Sequence, residues 1–231
     1  VPVEPPSTME ISRIASDTPQ AQWPANNLIL SAESHDNADA AGENADGFAA
    51  KLTIGTGNVF RYCVSHNNID DGWDLYTKSD TGAIGPVTID HSLAYNNGTL
   101  TNGTVASAGD RNGFKLGGED IAVNHIVTNN IAYKNGKHGF TWNSNPGTIT
   151  MTSNVAIDST ERNFAFDGGT SVFRSNTSCR STSSGTNDKI TGNTDSSNQF
   201  WTGSNGSRCS SYAGTPRWSF ASSGSLVVTF G

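Results

Sequence analysis

Long apolar runs are missing from this chain. Nowhere does it hold the roughly 20 consecutive apolar residues that a membrane-crossing helix needs, so no membrane partner is expected. Positive charge is scarce too: 14 Lys and Arg face 21 Asp and Glu, for a net charge of −7. That balance argues against a general nucleic-acid binder, but it admits an acidic ligand if a metal cation supplies local positive charge. No segment carries the 3.6-residue apolar period of an amphipathic helix, which excludes helical bundles and helical solenoids. Neither a basic run nor a signal-like apolar start opens the chain. The expectation is that an export signal has been removed or was never present. Cysteine is limited to Cys63, Cys179 and Cys209, with no Cys–His spacing that suggests zinc. Cys179 and Cys209 flank a polar, Ser/Thr/Gly/Asn-rich stretch and are candidates for a disulfide in an oxidising compartment. Cys63 lies in an apolar strand pattern and reads as a buried free thiol.

What the chain has in quantity is turn-forming material. There are 25 Gly in 231 residues, with Asn, Ser and Thr plentiful, a composition suited to short strands and tight turns. Residues 1–25 are rich in proline and read as an extended lead-in. Residues 26–231 read as one domain that becomes less regular from about residue 170. Within that end, Leu226–Phe230 reads as a late strand, and Trp201, Trp218 and Phe220 are expected to cover the C-terminal end of the core, an otherwise open edge.

From Leu28 onward the chain repeats itself. One part of the repeat is an apolar strand ending in a polar turn: Val64-Ser-His-Asn67, Leu93-Ala-Tyr-Asn96, Ile131-Ala-Tyr-Lys134 and Val155-Ala-Ile-Asp158. The other is Gly, aromatic, variable, apolar: Gly47-Phe-Ala-Ala50, Gly72-Trp-Asp-Leu75, Gly113-Phe-Lys-Leu116 and Gly139-Phe-Thr-Trp142, continued by Asn163-Phe-Ala-Phe166. The glycines are read as sharp bends, with Asn163 standing in as the other residue that tolerates a left-handed bend. Steps are roughly 25 residues, except one longer step between Gly72 and Gly113 that holds a polar insertion, about Gly98–Arg111. A short-strand repeat of this period indicates a solenoid, and a parallel β-helix fits: aromatic residues stack inward from coil to coil and turn asparagines form a ladder. The competing all-β reading is an antiparallel sandwich, but its hairpin signals, Asn97-Gly98 and Asn102-Gly103, recur irregularly.

The coil register predicts neighbours in space. Asp46, Asp71, Asn112 and His138 precede the bend residues and form one column. Ala49, Asp74, Lys115, Thr141 and Ala165 face outward in the next strand and form a second, because strand side chains alternate and parallel strands lie about 4.8 Å apart. Asp46, Asp70, Asp71 and Asp74 then converge. An acidic turn alone is usually a solvated face, but four carboxylates this close repel unless protonated or bound to a cation. Hard oxygen ligands on a turn suit Ca²⁺ better than Mg²⁺. Lys115 lies one coil above Asp74. A nearby cation lowers a lysine pKa, which makes a neutral amine base possible.

These segments resemble a known family. Glu43-Asn-Ala-Asp46-Gly-Phe through Arg61, then Asp70-Asp71-Gly-Trp-Asp74-Leu-Tyr-Thr-Lys78, Asn112-Gly-Phe-Lys115-Leu-Gly-Gly118 and His138-Gly-Phe-Thr-Trp-Asn-Ser-Asn-Pro146-Gly occur in the order seen in polysaccharide lyase family 9. That family holds β-helical pectate lyases and related uronide lyases. The resemblance runs from about His35 to Gly168 and implies a right-handed parallel β-helix, here with fewer N-terminal coils than is usual in the family. It also implies a secreted, extracellular, monomeric enzyme acting on polygalacturonate or pectin of the plant cell wall. In the family, the aspartates matching Asp46, Asp70, Asp71 and Asp74 bind Ca²⁺ and the lysine matching Lys115 is the Brønsted base.

The implied reaction is β-elimination. Calcium holds the C6 carboxylate of a galacturonate unit and acidifies the C5 proton, Lys115 takes that proton, and the C4–O bond breaks. Lys78, Arg111, His138, Asn143 and Asn145 are candidate contacts to sugar carboxylates or hydroxyls. Two alternatives stay open: a non-catalytic, calcium-stabilised β-helix that binds acidic polysaccharide, and a lyase for rhamnogalacturonan or another uronide.

Overall fold

The structure is a computed structural model that describes residues 9–10, 17–106 and 108–231. Three parallel sheets run along it. Sheet A holds Met9–Glu10, Phe48–Ala49, Trp73–Asp74, Phe114–Lys115, Phe140–Thr141, Phe164–Phe166 and Lys189–Ile190 in that spatial order. Sheet B runs from Leu28–Leu30 through Asn58–Arg61, Val87–Asp90, Ile126–Thr128, Thr150–Thr152 and Val172–Arg174 to Asn193–Thr194. Sheet C runs from Glu33–His35 through Val64–His66, Leu93–Tyr95, Ile131–Tyr133 and Val155–Ile157 to Thr177–Cys179. Successive strands of the chain visit A, B and C in rotation, so each full coil adds one strand to every sheet. This is the parallel β-helix that the repeat predicts.

The expected aromatic register holds at every step. Phe48 pairs with Trp73, Trp73 with Phe114, Phe114 with Phe140 and Phe140 with Phe164. Their rings stack with centroids 4.9, 4.8, 4.6 and 5.1 Å apart, and all five side chains are fully buried. Each such pair adds about 0.5–1.5 kcal/mol beyond the area it buries. Sheet B contributes Phe60, Ile89, Val127, Met151 and Phe173 to the same core.

The asparagine ladder also forms, one residue later than the turn motif's last letter. Asn67, Asn96, Lys134 and Asp158 take left-handed backbone angles, with φ of 51, 53, 50 and 53°. The residue after each turns back under the coil. The Nδ2 groups of Asn37, Asn68 and Asn97 donate to the Oδ1 of Asn68, Asn97 and Asn135 at 2.7, 2.9 and 2.9 Å. A second ladder joins Asn130, Asn154, Asn176 and Asn198 between sheets B and C. All of these amides except the half-buried Asn198 are inside the molecule, and the ladder satisfies donors and acceptors that burial would otherwise strand.

The bend glycines are needed for space and not for a left-handed φ. Gly47, Gly72, Gly113 and Gly139 are absent from the positive-φ residues. A Cβ on Gly72 would lie 2.5 Å from the carbonyl oxygen of Gly113, and one on Gly113 would lie 2.6 Å from that of Gly139. Asn163 is tolerated for a related reason. Ser159 occupies the ladder position of that coil in place of an asparagine. The Asn163 side chain fills the gap, accepting from the Ser159 N–H at 3.0 Å and donating to the Cys179 carbonyl at 2.9 Å.

The ends differ in detail from expectation. Met9–Glu10 of the lead-in joins sheet A beside Phe48–Ala49, and Trp23 is buried, its Nε1 donating to the Thr18 carbonyl at 2.9 Å. The late strand Leu226–Phe230 is present, paired antiparallel with Pro216–Phe220. Trp201 is buried at the C-terminal end as expected. Trp218 instead lies along the flank of sheet C, where its Nε1 donates to the Tyr95 hydroxyl at 3.1 Å, with Phe220 against it. Cys179 and Cys209 form the disulfide, and Cys63 is a buried free thiol. Among the described residues, no helix is long and apolar enough to cross a membrane.

Candidate active site

The outward column of sheet A reads Ala49, Asp74, Lys115, Thr141 and Ala165 from coil to coil. Next to it, the column before the bends is laced together by hydrogen bonds. The Asp71 N–H donates to Asp46 Oδ1 at 3.2 Å, the Asn112 N–H and Nδ2 donate to Asp71 Oδ1 at 2.7 and 3.0 Å, and the His138 N–H donates to Asn112 Oδ1 at 3.2 Å. Ladder geometry therefore fixes one oxygen of Asp46 and one of Asp71, and turns the other of each toward Asp74. Asp46, Asp71 and Asp74 each offer an oxygen within 4.8 Å of the other two, and all three are buried.

Asp70 plays a different part. Its Oδ1 accepts the backbone N–H groups of Asp110 at 2.5 Å and Arg111 at 3.3 Å. It thereby clamps the end of the polar insertion over the site and delivers Asp110; Asp110 and, from a separate turn, Lys51 are two groups that the repeat pattern does not reveal. Asp110 Oδ2 lies 3.0 Å from Lys115 Nζ, while its Oδ1 accepts from Lys137 Nζ at 2.8 Å. Lys51 reaches back from the turn after Phe48–Ala49 and donates to Asp46 Oδ2 at 2.8 Å and Asp74 Oδ2 at 2.7 Å. The signal for Lys51 was its place five residues after Asp46, and for Asp110 the long step between bend glycines.

Lys115 Nζ is 3.2 Å from Asp71 Oδ2 and 3.9 Å from Asp74 Oδ1, and it lies 5.3 Å from the centre of the Tyr76 ring. Burial pulls its pKa down, but Asp71, Asp74 and Asp110 override that and hold the amine above the usual lysine range. With carboxylates alone around it, Lys115 is an ammonium; the lowered pKa expected from a cation requires the cation. Burial and the charge on Asp74 push Asp46 up to about 8, against the pull of Lys51. Burial also raises Asp70 to about 6 and holds Asp71 well above the usual carboxylate range. Burial alone would raise Asp110, yet Lys137 and Lys115 bring it to about 2.

A cation fits this donor set. Asp71 Oδ2 and Asp74 Oδ1 are buried and accept no hydrogen bond; the Lys115 ammonium, 3.2 and 3.9 Å away, faces both as an ion pair, which leaves their hydrogen-bonding capacity unfilled. All the donors are hard oxygens, the ligand type of Ca²⁺.

The remaining candidates separate. Arg111 has a left-handed φ of 62° and a buried Nε without a partner. His138 Nε2 is 3.7 Å from Glu161, and burial lowers its pKa to about 4, so it is neutral near pH 7. Asn143 donates to the Gly117 carbonyl at 2.7 Å. Lys78 is exposed. Asn145 is the exception. It is wholly buried, with Nδ2 donating to the Leu116 and Val123 carbonyls and Oδ1 accepting from the Val123 and Gly147 N–H groups. Every polar atom of its side chain is spent on the fold, and none is left for a sugar.

Comparison with known proteins agrees with this geometry. The model of the Pel9A-like, right-handed β-helix region matches residues 7–193. Pectate lyase L of Paenibacillus polymyxa (strain SC2) is 55% identical over 195 residues, covering 84% of this chain and 43% of that protein. Pectate disaccharide-lyase of Dickeya chrysanthemi is 40% identical over 185 residues, covering 77% of this chain and 23% of that protein. Among solved structures, the pectate lyase Pel9A superposes with a TM-score of 0.69 at 31% identity, over 81% of this chain and 46% of the other. A rhamnogalacturonan lyase superposes with a TM-score of 0.62 at 28% identity, over 77% and 48%. The chain thus spans less than half the length of each of these proteins.

Proposed function

Because the chain belongs to the Pel9A-like, right-handed β-helix family, we propose that it carries the active centre of a calcium-dependent pectate lyase that cleaves polygalacturonate by β-elimination. The observation that carries this reading is a buried lysine, Lys115, set against a buried carboxylate cluster in which two oxygens accept no hydrogen bond. Asp46, Asp71 and Asp74 would hold the Ca²⁺, with Asp70 beside them. When bound, Ca²⁺ supplies charge that fixes a uronate carboxylate and stabilises the enolate developing as C5 loses its proton.

The chain's own residues do the rest. Lys115 faces outward from sheet A, where a polysaccharide laid along the column meets its Nζ. As a neutral amine it takes the C5 proton; the electron pair left on C5 forms the C4–C5 double bond, and the C4–O bond breaks with its electrons on the leaving oxygen. Asp71 and Asp74 are the leading charges that keep Lys115 protonated, and both are among the proposed ligands, so filling the site weakens what holds the proton on the base. Asp110, clamped by Lys137 and by the Asp70 turn, orients the amine. Lys78, Arg111, His138 and Asn143 remain the proposed contacts to flanking sugar units.

The proposal includes a monomeric protein acting on pectin outside the cell; the Cys179–Cys209 disulfide supports the oxidising compartment. The resemblance to a rhamnogalacturonan lyase favours one second reading, the same chemistry on rhamnogalacturonan. The deciding assay incubates the protein with Ca²⁺ and either polymer and follows the ultraviolet absorbance of unsaturated uronide ends. Absorbance growing only with polygalacturonate supports the first reading, and growth only with rhamnogalacturonan the second. No growth with either leaves a calcium-stabilised polysaccharide binder.

A further inference from the structure

Lys51 holds the oxygen that a metal needs. Asp46 is fully buried, and its Oδ1 is taken by the Asp71 N–H. Its remaining oxygen, Oδ2, is the one that Lys51 Nζ holds at 2.8 Å, while the same ammonium holds Asp74 Oδ2 at 2.7 Å. A divalent ion joining Asp46, Asp71 and Asp74 must therefore share or take an oxygen already bound to a positive charge. Two cations on one buried carboxylate oxygen repel each other with little screening. The lysine is the one able to move: its four-carbon stem is flexible, it follows the strand on a turn, and its side chain is 18% exposed against 0% for Asp46.

We propose that Lys51 is a tethered competitor for the metal: its ammonium closes the carboxylate cluster when no divalent ion is bound and gives up Asp46 Oδ2 when one binds. The inference rests on the calcium reading proposed above. Lys51 would make the metal-free site foldable by neutralising buried carboxylates, and the same contacts would weaken metal affinity.

Two measurements test this. The first uses the wild-type chain: reductive methylation of lysines, read by peptide mass spectrometry, in excess chelator and in saturating Ca²⁺. Lys51 should be modified several-fold faster with Ca²⁺, while the exposed Lys134 keeps its rate. The second compares wild type with Lys51→Met by calorimetric Ca²⁺ titration and by thermal unfolding. The variant should bind Ca²⁺ about tenfold more tightly or better. Its melting temperature should fall in chelator and recover with Ca²⁺. Lys51 that stays protected in Ca²⁺, or a variant of unchanged or weaker affinity, overturns this inference while leaving the calcium site standing. Absence of Ca²⁺ binding by the wild type overturns both. Should the variant fail to fold without metal, the methylation result decides alone.

Discussion

Replacing Lys115 by arginine separates charge from basicity at the proposed base. Lys115 Nζ lies 3.2 Å from Asp71 Oδ2 and 3.0 Å from Asp110 Oδ2, so a guanidinium keeps the attraction that holds the turn and the insertion together. What it cannot do is accept a proton, because arginine stays protonated in proteins. A positioned general base contributes about 10²–10⁴-fold, or about 3–5 kcal/mol at 1.36 kcal/mol per tenfold. Lys115→Arg should therefore lose about two to four orders of magnitude in turnover, while polygalacturonate binding changes little. The assay is the initial rate of unsaturated-uronide absorbance in Ca²⁺ across a pH series, with binding measured separately by calorimetry. Wild-type activity should rise with pH, since the surrounding carboxylates favour the ammonium and only the neutral fraction reacts. A variant that keeps more than about a tenth of wild-type turnover with the same pH profile removes Lys115 from the role of base.

Three further outcomes are expected. Asp71→Asn retains an Oδ1 for the Asn112 donors but removes a charge from the cluster; calorimetry should show Ca²⁺ affinity reduced at least about tenfold with thermal stability in chelator preserved, and undiminished affinity would place the metal elsewhere. Gly113→Ala puts a Cβ 2.6 Å from the Gly139 carbonyl and 2.7 Å from Asn135 Nδ2, so urea unfolding should show a loss of about 1–3 kcal/mol, and a neutral result would contradict the close-approach account of the bend glycines. Burial lowers the pKa of His125, whose Nδ1 accepts the Val87 N–H, to about 3; the folded state holds the neutral ring, so its contribution is fully present above the unfolded pKa of about 6.5 and is lost as pH falls below it. That loss reaches about 2 kcal/mol at pH 5, read as the difference in pH slope between wild type and His125→Asn, and parallel slopes would refute it.

Much of this architecture was legible in the order of residues because a solenoid converts sequence period into spatial neighbourhood. Gly-aromatic-variable-apolar, read four times and continued once with Asn163 in place of Gly, is enough to place Phe48, Trp73, Phe114, Phe140 and Phe164 in one stack and Asp74 beneath Lys115. The hidden parts depend on contacts that no repeat encodes. Lys51 reaches its partners with a flexible side chain from a turn. Asp110 arrives on a loop whose path is fixed by Asp70. Asn145 reads in sequence as a candidate sugar contact, and only its four hydrogen bonds reveal it as internal. At the bend glycines the sequence suggests a left-handed turn, but neighbours one coil away, not the glycines' own dihedrals, exclude a side chain.

The same logic explains why the proposed site is confined to so few coils. Every coil presents one outward residue at the same register of sheet A, so a site is made by changing those residues without touching the inward stack. At Ala49, Thr141 and Ala165 the column is small and uncharged, while Asp74 and Lys115 carry opposite charges on adjacent strands. The inward partners of the two charged positions, Trp73 and Phe114, remain fully buried and stacked at 4.8 Å. The turn column adds Asp46 in the coil of Ala49 and Asp71 in the coil of Asp74, then reverts to Asn112 in the coil of Lys115 and His138 in the next, which keep the hydrogen-bonding thread without the negative charge. Asp71 bridges the two roles, since one oxygen serves the thread and the other faces Lys115. Stability and reactivity thus draw on different atoms of the same few residues. The buried carboxylates that a β-helix core would not tolerate on its own are held in place by ladder bonds that the fold makes in any case.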